Sequence, residues 1–106
     1  MAGWEEQVSE TAAVAAGLEK GDDFRGALKC WQKVAPPDAE QKGRVEREKE
    51  QVATRAKARS EFLAAAAPAG AEGAARLRSM MNRMPPEAAE ILEAEARRLE
   101  KEWSPK

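Results

Sequence analysis

Alanine supplies 23 of the 45 hydrophobic residues in this 106-residue chain. Alanine favours helix because its side chain loses almost no rotamer freedom there, yet it removes little apolar surface from water. The large apolar residues number only 21: five Val, six Leu, one Ile, four Met, two Phe and three Trp. Such a chain is strongly biased to helix and poorly supplied for a deep core. The expectation is that a partner completes the structure.

Charge sharpens the point. Leu, Ile, Val and Phe together make 14 of 106 residues, below the level of ordinary folded domains. Eighteen Lys and Arg stand against 19 Asp and Glu, so the net charge does not force disorder, and interspersed opposite charges suit solvated helices. At this length the chain is at most one small domain.

Several chemistries are excluded by what is missing. There is no His, no Tyr and a single Cys, Cys30. Common structural zinc sites, Ser/His/Asp triads, Cys/His dyads and an intramolecular disulfide cannot be built from this set. Phosphate-loop and dinucleotide-binding glycine patterns are absent. Glu46, Glu48 and Glu50 are two apart, which on a helix sends them to different sides. No catalytic residue, metal ligand or cofactor is assigned, and an enzyme is the least favoured class. No apolar run approaches a membrane span. The opening Met1-Ala-Gly-Trp-Glu-Glu is acidic, unlike a secretory or mitochondrial leader. The cytoplasm is the default location, with an organelle left open.

Breaker residues at Gly21-Asp22-Asp23, Pro36-Pro37, Pro68-Ala-Gly70 and Pro85-Pro86 divide the chain into segments, none with strand-like alternation. Trp4 to Lys20 carries Trp4, Val8, Ala12, Ala15 and Leu18 near one helical face. Asp23 to Ala35 carries Phe24, Ala27, Leu28, Trp31 and Val34, with Asp22 or Asp23 as N-cap. Pro37 to Ala67 is a long charged helix starting at Pro37. From Gln41 to Ser60 its only large apolar residues are Val45 and Val52, a thin seam that Phe62 and Leu63 thicken. Arg44 and Glu48 form its favourable i,i+4 pair. Ala71 to Met84 carries Ala74, Leu77, Met81 and Met84. Pro86 to Trp103 carries Ala88, Ile91, Leu92, Ala96, Leu99 and Trp103, with a Glu93–Arg97 pair. The fold predicted is all-α: a single domain over 1–106 of four to five helices. An N-terminal helical hairpin (1–35) and a C-terminal one (71–103) are joined by a long polar helix (37–67), giving an extended shape.

Thr11-x2-Val14-Ala15-x2-Leu18, followed by Ala27-x3-Trp31, resembles a single tetratricopeptide repeat. The nine-residue step from Leu18 to Ala27 and the aromatic Phe24 match as well. The resemblance covers residues 11–35, with Thr11 in place of the large aromatic and Pro36 arriving early. It implies scaffolding or peptide binding in a groove. An ordinary helical hairpin with the same small-large packing gives the same pattern.

The middle is basic. Residues 42–59 carry seven positive and three negative side chains, between residues 1–41 (four and eight) and 60–106 (seven and eight). Arg44, Arg47, Arg55, Lys57 and Arg59 could meet phosphates. However, no aromatic lies between Trp31 and Phe62 to stack bases, and the interleaved Glu residues repel phosphate. Nucleic acid is therefore disfavoured against a solvated helix that pairs with the acidic N-terminal hairpin or with an acidic partner. Trp4 and Trp103 near the termini, the Met80, Met81 and Met84 cluster, and the Val45, Val52, Phe62 and Leu63 seam are the partner-binding candidates. The leading expectation is a non-catalytic accessory or assembly subunit, in a hetero-complex or homo-oligomer. A tetratricopeptide-like adaptor or chaperone and a nucleic-acid-associated protein are the alternatives.

Overall fold

A computed structural model describes residues 3–103. The fold is all-α. The described residues form α1 (Trp4–Lys20), α2 (Phe24–Gln32), α3 (Ala39–Ala66), α4 (Gly70–Met80), a 3₁₀ turn (Met81–Arg83) and α5 (Pro86–Trp103). They group into two compact units, Met1–Thr54 and Arg55–Lys106, with the division inside α3.

In the first unit, α1 and α2 pack together. The Asp22 amide donates to the Glu19 carbonyl and the Asp23 amide to the Leu18 carbonyl, at 2.9 and 2.8 Å. This pair of bonds closes the end of α1 as a Schellman motif. The left-handed residue it requires is Asp22, at φ 65°, rather than the neighbouring Gly21; a short acidic side chain tolerates that region. Asp23 then caps α2, its carboxylate accepting from the Gly26 amide at 2.9 Å.

The buried side of α1 is made by Val8 and Ala15, with Trp4, Thr11 and Leu18 half-buried, and Ala12 is exposed. The contact row is thus 4, 8, 11, 15, 18, a 4-3-4-3 spacing in which Thr11 replaces the expected Ala12. A 3.5-residue repeat keeps a seam facing a neighbouring helix. On α2, Phe24, Ala27 and Trp31 are buried. The helix ends at Gln32, three residues short of Ala35, because residues preceding proline are pushed out of the α region and Pro36-Pro37 follow directly.

The long helix α3 begins at Ala39. Its cap is Asp38, whose carboxylate accepts from the Gln41 amide at 2.8 Å. Pro37 therefore lies in the connection rather than in the first turn. Arg44 reaches Glu5 of α1 at 3.0 Å, in place of the expected pairing with Glu48. The thin seam is buried: Val45 and Val52 are joined by Ala56 and Ser60, spaced 7, 4 and 4. Small residues continue the line that large ones begin.

Ser60 is fully buried, and its hydroxyl has no hydrogen-bond partner among the described residues. Thr54 of the same helix donates its hydroxyl back to the Glu50 carbonyl at 2.9 Å, the usual escape for a helical hydroxyl. An unpartnered buried hydroxyl costs roughly 1–3 kcal/mol. Ser60→Ala removes it with almost no change of shape and should raise stability by about 1 kcal/mol. Urea unfolding checks this; an unchanged or lowered midpoint would contradict the orphaned hydroxyl.

In the second unit, α4 and α5 pack closely. Gly73 of α4 lies against Leu99, and Arg78 bonds Glu93, so the two helices run antiparallel. Leu77, Met84, Leu92 and Leu99 are buried together with Ala74, Ala88 and Ala96. Gly70 at φ 83° turns the chain into α4, a conformation natural to glycine. The end of the expected fourth helix tightens into the 3₁₀ turn, where the Met84 amide donates to the Met81 carbonyl at 3.1 Å. Pro86 opens α5, where its missing N–H leaves no helical bond unmade.

A carboxylate-guanidinium lattice ties this hairpin. Arg78 grips Glu93 with two bonds, 3.1 and 3.2 Å, and also reaches Glu100. Arg97 reinforces Glu93 at 3.0 Å, while Arg98 bridges Glu95 and Glu102 along α5. Hydrogen bonds from Arg78, then from Arg97, hold Glu93 below the usual 4.5. Arg98 does the same for Glu95, and Arg78 for Glu100. Folded-state values below the unfolded ones give stability that is present above about pH 4.5 and lost as pH falls through the lowered values. Urea unfolding midpoints measured from neutral to acid pH should fall in that window. Arg78→Met should flatten this pH dependence, and an identical acid profile in the variant would refute the role of the clamp.

Candidate functional site

The nine residues expected to meet a partner have different fates. Val45, Val52 and Met84 are buried, at 3%, 0% and 1% exposure. Their side chains are taken up by the chain's own packing, which corrects the expectation that they wait for another protein. Trp4 is half-buried, and its indole N–H donates to Gln41 Oε1 at 2.7 Å. Met80 and Met81 are half-buried beside the turn between α4 and α5. Trp103 ends α5, and its side chain lies outside the described residues.

Phe62 and Leu63 are neighbours near the end of α3. Leu63 is half-buried, whereas Phe62 stands 60% exposed. The Arg59 guanidinium, one helical turn earlier, lies over the Phe62 ring at 5.2 Å from its centroid. This cation-π contact presents a large apolar surface rimmed by positive charge. The basic stretch is partly engaged within the chain, Arg44 with Glu5 and Arg59 with Phe62.

One exposed apolar residue was missed by the stripe reading. Val14, 56% exposed, lies one residue before Ala15 and so falls off the buried row of α1. It lines an open cleft of about 270 Å³ between α1 and α2 with Gln7, Glu10, Thr11, Cys30, Lys33 and Val34. A large β-branched residue beside an amphipathic stripe, on an otherwise small and polar surface, was the available signal. In the second unit, Lys57, Glu87, Glu90, Ile91 and Ala94 line a wider, shallower depression.

Among the described residues, no three of His, Cys, Asp and Glu converge to hold a metal ion, and no helix is long and apolar enough to cross a membrane. No family model matches this chain, and no match is found among curated proteins or solved structures.

Proposed function

We propose that this chain is a non-catalytic protein-interaction protein, an accessory or assembly subunit that docks on a protein partner through exposed apolar helix residues. The observation that carries this reading is Phe62, 60% exposed beneath Arg59. An exposed phenylalanine loses contact with water when a partner covers it, which stabilises a complex by roughly 2 kcal/mol. Aromatic and arginine side chains are also the commonest anchors of protein interfaces. Half-buried Leu63 beside it extends the apolar surface. The mixed charges around it would set register and discourage wrong contacts.

The test is affinity capture from the native cell with the full chain, in parallel with Phe62→Ser and Glu61→Ser. The serine at 62 should abolish recovery of a partner that wild type and Glu61→Ser both retain. Equal recovery with Phe62→Ser would remove the proposed anchor. Helicity should be unchanged in both variants, because both side chains are exposed.

A further inference from the structure

The cleft between α1 and α2 carries unused charge as well as apolar surface. It is lined by Val14, Val34 and Cys30 together with Glu10 on α1 and Lys33 at the end of α2. Glu10 belongs to an exposed acidic row with Glu6, four residues earlier. Lys33 belongs to an exposed basic row with Arg25 and Lys29, also spaced by four. Like charges at i,i+4 repel along a helix. None of these five residues makes an ion pair with another described residue. The hairpin therefore carries an exposed acidic pair on α1 and an exposed basic row on α2, and of these Glu10 and Lys33 line the cleft.

We infer that this face pairs with the same face of a second copy of the chain. A two-fold contact demands a self-complementary patch, in which residue i meets residue j and j meets i. Acidic Glu10 on α1 and basic Lys33 on α2 meet that demand. Rotation by 180° about an axis through the cleft sets Glu10 of each copy against Lys33 of the other. It also stacks the two apolar linings around Val14. A partner with a single sign of charge would satisfy one row and repel the other. The face is about 25 Å long from the length of α1 and about 20 Å wide across two helices. It would bury on the order of 500 Å² per copy, the size of a weak, reversible association rather than a permanent one. This dimer shares the interaction-protein reading above but uses another face, so its failure leaves the Phe62 test standing.

Sedimentation equilibrium of the full chain from about 1 to 500 µM should show concentration-dependent dimerisation. Glu10→Lys or Lys33→Glu alone replaces two reciprocal attractions by two repulsions and should weaken the dimer about tenfold or more. The double swap Glu10→Lys/Lys33→Glu should restore it. Cys30 is the only thiol, so a short bis-maleimide reports this face alone. It should cross-link wild type and the double swap, and lose yield with either single reversal. A monomer at every concentration overturns the inference, and so does a dimer indifferent to both single reversals. An unchanged circular dichroism spectrum in each variant separates loss of contact from loss of fold.

Discussion

Gly73→Ala is expected to destabilise the protein by about 3 kcal/mol, the upper end of what overpacking costs. A Cβ at this position would sit 1.7 Å from the Pro68 carbonyl oxygen and 2.8 Å from its carbon. Both are backbone atoms, so no rotamer change relieves the overlap. The nearest side-chain atom, Leu99 Cδ1 at 3.1 Å, can yield by a few tenths of an ångström, but the carbonyl cannot. Either α4 must move off the connection that precedes it, or that connection must abandon the turn made by Gly70. Gly17→Ala is the control, because nothing lies within 4 Å of its added methyl. There alanine should stabilise α1 by up to about 1 kcal/mol, the ordinary gain over glycine in a helix. Thermal or urea unfolding of the two variants should therefore shift in opposite directions. A neutral Gly73→Ala would mean that the close approach of α4 to Pro68 does not exist.

Trp31→Ala should cost about 4 kcal/mol. Trp31 is 3% exposed, on a helix of only nine residues. A helix that short has no stability of its own in water and exists by packing. Its large buried groups are Phe24 and Trp31, with Val34 just beyond its end. Removing the indole takes away most of the apolar area that holds α2 in place and leaves a void that the neighbours only partly fill. Trp31→Phe should lose less, about 1–2 kcal/mol, because a smaller ring keeps much of the contact. Urea unfolding monitored by circular dichroism distinguishes the two. A loss below about 1 kcal/mol in the alanine variant would show that the first unit is held elsewhere.

The sequence made the helices legible because its punctuation is chemical. α1 and α5 run between the residues expected of them, since a Gly-Asp-Asp turn ends one and Pro86 opens the other. α2 and α3 differ by two or three residues at Pro36-Pro37, where Asp38 caps α3 through a side-chain bond that spacing alone does not reveal, leaving Pro37 outside the first turn. Burial was harder to read, and for one reason. Ranking residues by size marks Val45, Val52 and Met84 as isolated and therefore available, yet the buried line of α3 continues through Ala56 and Ser60, and the second unit buries Ala74, Ala88 and Ala96 along with its leucines. The same bias toward size and stripe hid Val14, which is large but off the row, and put Ala12 where Thr11 makes the contact. Loop connections such as Pro68 against Gly73 depend on backbone positions three-dimensional folding alone brings together.

Among the described residues, six of the sixteen buried apolar ones are alanines: Ala15, Ala27, Ala56, Ala74, Ala88 and Ala96. A core rich in leucine fails when its side chains are cut down. This one is also exposed to the opposite injury, since each of these alanines sits at 2% exposure or less and an added methyl would have to displace a neighbouring helix. A saturation scan would then find many of its least tolerant positions among its smallest residues, with valine, threonine and leucine damaging there as well as a charge.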